Sequence, residues 1–315
     1  MAILTKNLKK KMSKKLNGDG DIDKIYEKNV ILNKNDKENI GKSRKSGDLF
    51  EYKLAKYLTD KGLILDDEYT KNKYIKLKNN ISKNDNINDV NNALDKICNI
   101  LHFTNYKIIK FTKDNDGKNG TVSDIEIYNS DKNCIGFSCK VNNISIKHQR
   151  PSSLYIQSKM NSQNSNIFKQ EYKICNDKWY NKLKNCITFN KIEDIDKMEM
   201  YKEINTVIFK YLKIMTYAEI KFYYNFLIHY EKVYVIKHDV IKKKLILYDY
   251  INKTQPSKIL SIEIEKQYIY ILFDNNIKIK LRLHNASKTI TKSLSLKYDT
   301  TIIDGDLFTT SVFNC

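Results

Sequence analysis

The chain has 315 residues, 41% of them apolar, enough for one large domain or two modest ones with a sizeable core. Nine glycines and two prolines exclude collagen-like and low-complexity classes, and no apolar run reaches the roughly 18 residues of a membrane-spanning helix. Against 37 acidic residues stand 56 basic ones, a formal charge of +19, which points to a partner of dense negative charge, most commonly nucleic acid; codon bias toward Lys, Asn, Ile and Tyr is the plain alternative source of the lysines.

Residues 1–42 are rich in Lys, Asn and Asp with little periodicity and read as an irregular basic arm that could touch phosphates. The start, MAILTKNLKKKMSKK, lacks the apolar segment of a signal peptide. At SGDLFEYKLAKYLTDKG the pattern changes. Phe50, Leu54, Tyr57 and Leu58 recur on one face of a helix, with Ser46 or Asp48 as a cap at its start and Gly62 at its end. Residues 64–87 are polar and without a clear period. INDVNNALDKICNIL (87–101) predicts a second helix, with Val90, Ala93, Leu94, Ile97 and Leu101 on one face. The period then switches to two, and YKIIKFT (106–112), TVSDIEIY (121–128) and NCIGFSCKV (133–141) read as strands, the last two joined by the turn-rich NSDKN. Past Pro151 helices are expected over 164–183 and 196–230, the second long enough to break near Thr216. From 232 onward six strands follow: KVYVIKH, KLILYDY, KILSIEI, QYIYILF, NIKIKLRLH and SLSLKYDTTII. The order predicts an α/β fold, a mixed sheet flanked by helices, with a helical insertion over about 160–231 and a β-rich C-terminal part over 232–303. The six cysteines, Cys98, Cys134, Cys139, Cys175, Cys186 and Cys315, have no zinc-ligand spacing. Cys134 and Cys139 read as small hydrophobes on one buried strand, and a reducing, cytoplasmic setting is expected.

DIEIYNSDKNCIGFSCKVNN (124–143) carries the chemistry. Asp124 and Glu126 share one strand face, as do Gly136, Ser138 and Lys140, and the hairpin can bring Asp124 and Lys140 together at one end of the sheet. A carboxylate holds a hard cation such as Mg²⁺ through oxygen. A neighbouring ammonium orients or helps deprotonate a water and offsets phosphate charge, so the pair suits phosphodiester hydrolysis. An ordinary salt bridge across a hairpin is the alternative, and the spacing alone does not choose between them.

SDIEIYNSDKNCIGFSCK resembles the catalytic hairpin of the PD-(D/E)-x-K nuclease superfamily. The following KVNNISIKHQRPSSLY, an S-x-K strand end, then Asn residues and K-H-x-R-x-S, is similar to the HaeIII-type type II restriction endonucleases. GDLFEYKLAKYL resembles their first helix and IKLRLHNASKTITKSLSLKYDT their C-terminal strands, so the resemblance spans about 43–160 and 275–303. It implies a nuclease domain over 43–315 that hydrolyses both strands of duplex DNA with Mg²⁺ at a short specific site, GGCC. A cognate DNA methyltransferase is implied for host protection, and a homodimer is compatible with it. A repair or junction nuclease of the same superfamily, or a non-catalytic DNA-binding protein with a degenerate core, are the rival readings.

By the same resemblance Asp124 is the metal-binding aspartate and Lys140 the catalytic lysine. Ser138 stands at the (D/E) position, where a hydroxyl replaces a carboxylate poorly. Glu51 on the first helix is then expected to supply the second acid, with Glu126 as the alternative, and the backbone carbonyl of Cys139 to be a further ligand. Lys147 and Arg150 suit phosphate or guanine edges, and Gln149 suits adenine or a backbone group. His148 could donate to phosphate, relay a proton or simply be packed. Asn142 and Asn143 could hydrogen-bond near the scissile phosphate or merely end the strand. Arg282, His284 and Asn285 could lie on the DNA face or form a hairpin turn with one exposed cation.

Overall fold

A computed structural model describes residues 45–82, 85–113, 122–142, 145–228, 233–250, 254–303 and 308–315. The basic arm expected over 1–42 and Asn143 lie outside them. The chain divides into residues 1–48 and 49–315, and the fold described is that of the second unit.

The apolar stripe Phe50, Leu54, Tyr57 and Leu58 is fully buried on helix α1, which runs through residues 45–60. Ser46 and Asp48, expected as caps, instead lie within the helical backbone. The end is as the sequence predicts. Gly62, at φ +91°, takes the left-handed conformation, its N–H donates to the Thr59 carbonyl, and the Leu63 N–H donates to the Leu58 carbonyl. These crossed bonds satisfy carbonyls that the helix end leaves open. Strand β1 (Ile64–Leu65) and helix α2 (Glu68–Asn79) occupy the polar stretch that showed no period. Helix α3 (Asn91–Leu101) follows, burying Ala93, Leu94 and Ile97.

The three expected strands, β2 (Tyr106–Phe111), β3 (Ile125–Asn129) and β4 (Cys134–Val141), pair in order as an antiparallel meander. After β5 (Lys147–Gln149) and a short helix α4 (Leu154–Gln157) come three long helices: α5 (Ser162–Leu183), α6 (Asp194–Lys213) and α7 (Tyr217–Ile228). The chain breaks where predicted. Thr216 donates through its N–H and its hydroxyl to Glu219 Oε2, at 2.8 and 3.0 Å, and so restarts the chain as α7. Strands β6 (Val233–Asp239), β7 (Lys244–Tyr250), β8 (Ile259–Glu265), β9 (Tyr268–Phe273), β10 (Lys278–Asn285) and β11 (Leu296–Ile302) match the six expected, and β12 (Phe308–Asn314) is added beyond them.

The result is mixed α/β. A seven-stranded mixed sheet has the order β1-β2-β3-β4-β6-β7-β12, and a second, antiparallel sheet the order β5-β11-β10-β9-β8. One face of the first sheet packs Ile109, Ile125, Ile127, Ile135, Phe137 and Ile236 against the apolar stripes of α1 and α3. A second core joins α5, α6 and α7 to the inward residues of the second sheet, among them Ile269, Ile271, Ile279, Leu281 and Leu283. The β3–β4 hairpin is central in its sheet, with β4 pairing in parallel with β6. Strand β5, which directly follows that hairpin in sequence, crosses to the edge of the second sheet by pairing with β11. No described helix is long and apolar enough to cross a membrane.

Candidate active site

Asp124 sits one residue before β3, clamped by main chain on both sides. Its N–H donates to the Phe137 carbonyl at 2.7 Å, and its carbonyl accepts from the Thr112 N–H at 3.1 Å. Gly136 allows this close approach, since a Cβ there would lie 2.8 Å from the Cβ of Ser123. The Asp124 carboxylate is fixed through one oxygen: Oδ2 accepts from the Cys139 N–H at 2.7 Å and from the Ser138 hydroxyl at 3.4 Å, and stands 4.0 Å from Lys140 Nζ. Oδ1 carries no hydrogen bond among the described residues. Alternation along β4 explains the lysine on a core strand. Ile135, Phe137 and Cys139 turn into the α1–α3 core, while Gly136, Ser138 and Lys140 face the other way. Ser138 is fully buried and acts as a hydrogen-bond donor to Asp124. Since the N–H and C=O of one strand residue point to the same side, the Cys139 carbonyl also lies on the Asp124 side.

Glu51 projects from α1 into the same cleft, a space of about 830 Å³ that Asp124, Lys140, Lys73 and Lys113 also line. Its carboxylate lies 3.0 Å from Lys73 Nζ, whose ammonium also sits 4.8 Å from the Phe111 ring centre. Burial pulls Lys73 down, but Glu51, Tyr69 and Asp124 outweigh it and leave Lys73 above the ordinary lysine range. The buried Cys139 thiol feels the charges of all four groups. Burial, Asp124 and Glu51 push it up, while Lys140 and Lys73 pull it down. Lysine spacing gave no sign of Lys73. Helix α2 is lysine-rich throughout, and its buried residues are only Thr70 and Leu77.

Glu126, the alternative acid, is elsewhere. Its two oxygens accept from the Ser123 hydroxyl at 2.7 Å and the Tyr128 hydroxyl at 2.6 Å, and it does not line the cleft. Sharing a strand face with Asp124 was not enough, because two residues along a strand is a displacement of about 7 Å.

Lys147, His148, Gln149 and Arg150 all line the cleft. Gln149 is buried and its amide donates to Tyr223 Oη at 3.3 Å and Thr300 Oγ1 at 3.4 Å, so it is engaged internally. His148 Nδ1 lies 2.5 Å from Asp299 Oδ1, and His284 Nε2 is 2.9 Å from the same oxygen. Burial raises the Asp299 carboxyl, but the two histidines outweigh it and hold it well below the usual carboxylate range. This His–Asp–His bridge was not foreseen. Arg150 is exposed, carries no carboxylate partner among the described residues, and is the best placed of the four to meet a phosphate. Asn142 adopts φ +57°, donates its N–H to the His238 carbonyl and accepts from the Val240 N–H at 3.3 Å. It therefore ends β4, which is its structural role, and does not line the cleft. Arg282 and Asn285 also lie outside the cleft; Asn285 donates to the Ser287 carbonyl at 2.8 Å, closing the turn after β10.

Lys147 is buried, with its Nζ 4.0 Å from the Phe226 ring centre, and burial pushes its ammonium down to about 7. An unfolded lysine stays protonated to about pH 10. Between pH 7 and 9 the unfolded chain therefore binds a proton that the folded chain lacks, and this group makes stability rise with pH. Lys147→Met should remove this rise, so that the stability of the variant relative to the parent falls from pH 7 to pH 9. Denaturant unfolding at both pH values checks this; parallel pH curves for parent and variant would contradict it.

The donor set at the cleft is all oxygen: Asp124 Oδ1, the Glu51 carboxylate and the Cys139 carbonyl. Among the described residues no three His, Cys, Asp or Glu side chains gather as a ready-made metal cage. Mg²⁺ asks for less, taking one or two carboxylates with waters and substrate phosphates, so these residues fit it. The chain matches no family model, no curated protein and no solved structure.

Proposed function

We propose that the chain is a Mg²⁺-dependent endonuclease of the PD-(D/E)-x-K type, cutting duplex DNA at a short specific sequence. The observation that carries this reading is the Asp124–Lys140 pair, 4.0 Å apart at the end of a β-hairpin, facing Glu51 across a cleft rich in lysine. Asp124, Glu51 and the Cys139 carbonyl would hold the cation, whose contribution is Lewis-acid polarisation of the phosphoryl group. The chain's own residues do the rest. Ser138 and the Cys139 N–H fix the Asp124 carboxylate, which explains how a serine can stand at the position where a second acid is usual: the acid comes from α1 instead. Lys140 is placed to donate to a non-bridging phosphate oxygen and to orient the attacking water. The water oxygen bonds to phosphorus, the bond to one sugar oxygen breaks, and that oxygen leaves with a proton. Lys73, Lys113 and Arg150 offset phosphate charge around it. A phosphate near Lys147 would favour its ammonium, so binding above pH 7 should take up a proton.

The restriction-enzyme role and the GGCC site rest on the resemblance of the hairpin and of KVNNISIKHQRPSSLY. One observation favours the rival, a DNA-binding protein without catalysis: Lys73 already neutralises Glu51 at 3.0 Å, as an internal cation can in a degenerate site. Incubating supercoiled plasmid with the protein, in Mg²⁺ and in EDTA, separates the readings. Discrete fragments only with Mg²⁺ support the proposal, diffuse degradation supports a less specific nuclease, and binding without cutting supports the rival.

A further inference from the structure

The second sheet has one face packed on the helices and one open face that is mostly polar, with Leu272 among its tyrosines and charged residues. Register aligns that open face in rows across the strands. One row runs from His148 on β5 through Asp299 on β11, Arg282 on β10 and Tyr268 on β9 to Glu265 on β8. On β10 the outward positions are Lys278, Lys280 and Arg282, and Lys297 faces out from β11 opposite His284. None of these four cations has a carboxylate partner among the described residues. The acid in their midst, Asp299, is directly opposite Arg282 in register but is taken by the two histidines. Tyr268 and Tyr270 lie beside the cations, their ring centres 5.7 Å from Lys280 Nζ and 5.6 Å from Lys278 Nζ. Glu263 and Glu265 are confined to the far strand, β8.

This face is continuous with the candidate active site. His148 lines the cleft and bonds Asp299 on the open face, so the cleft wall and the basic band share a border. Alternate residues of a strand are about 6.8 Å apart, close to the spacing of successive phosphates along one nucleic-acid strand. We infer that the open face of the second sheet is a docking wall for duplex DNA, with Lys278, Lys280, Arg282 and Lys297 binding backbone phosphates to one side of the cut. The inference rests on the nuclease reading and extends it to residues outside the cleft. Contacts of this kind position a duplex and carry no base information.

The test is binding of an oligonucleotide duplex of about three helical turns, long enough to pass beyond the cleft, measured without Mg²⁺ at several salt concentrations between about 50 and 200 mM. The triple variant Lys278→Gln/Lys280→Gln/Arg282→Gln should bind at least about tenfold more weakly at the low-salt end, with a salt slope smaller by about 2–3. Lys297→Gln alone should lower the slope by about one. Thermal unfolding confirms that each variant is folded. If the parent binds and cuts DNA while both variants keep its affinity and slope, the docking wall is wrong and the nuclease reading stands. If the parent itself binds no duplex, both fail.

Discussion

Asp124→Ala and Lys140→Ala should each lower DNA cleavage at least about a hundredfold, the upper range seen even for the outer partners of metal-binding residues. Affinity for duplex DNA, measured without Mg²⁺, should change only a few-fold. The separation follows from position. Both side chains meet at one end of the hairpin, 4.0 Å apart, and address the scissile phosphate, while the bulk of the cationic surface lies around and beyond them. Ser138→Ala should cost less, because it removes a 3.4 Å hydrogen bond and leaves the 2.7 Å bond from the Cys139 N–H in place. A quantitative gel assay of cleavage beside an anisotropy titration checks all three variants. Cleavage by Asp124→Ala at near the parent's rate would remove the hairpin from the chemistry.

Glu51→Gln should raise the Mg²⁺ concentration needed for half-maximal cleavage by at least about tenfold, or abolish cleavage outright, while Glu126→Gln should leave the Mg²⁺ dependence near that of the parent. Glu51 lines the cleft with Asp124, whereas Glu126 has both oxygens held by Ser123 and Tyr128 outside it. One carboxylate alone binds a hard dication weakly, so loss of the second should appear first as a concentration requirement. The same substitution also removes the largest of the charges that hold Lys73 above the ordinary lysine range despite its burial. Rescue by excess Mg²⁺ therefore separates a lost ligand from a disturbed lysine: a lost ligand is rescued, and a disordered α1–α2 contact is not. A larger effect of Glu126→Gln would return the second ligand to the strand.

Elements with a strong apolar period were legible in the sequence. The stripe of α1, the face of α3 apart from the half-buried Leu101, and the alternation of β2 to β4 bury the residues that the period selects, because packing and pattern agree there. The break at Thr216 was legible because a compact helix of that length is unusual, and Thr216 with Glu219 supplies the start signal. Helix α2 was not, since its sequence EYTKNKYIKLKN buries only Thr70 and Leu77 and so has almost no apolar face. Strand β12 was missed for a related reason: FTTSVFN is an edge strand, held mainly by its ladder with β7.

The site divides similarly. Asp124 and Lys140 meet through hairpin geometry, and Glu51 lines the same cleft from the helix stripe that anchors Phe50. Gln149 and Asn142 carry the right chemistry for DNA contacts, but tertiary partners claim it: Tyr223 and Thr300 for one, His238 and Val240 for the other. Lys73 and Asp299 were invisible because each acquires its meaning from a residue distant in sequence, Glu51 in one case and His148 with His284 in the other.

The most direct test is to digest a long duplex of varied sequence with the protein in Mg²⁺ and to map every fragment end. The proposed endonuclease should produce a limit digest whose ends all fall within one short sequence, GGCC if the resemblance extends to recognition, with no product in EDTA. Ends scattered without a shared sequence, equal cutting in EDTA, or intact DNA at every Mg²⁺ concentration would contradict the account.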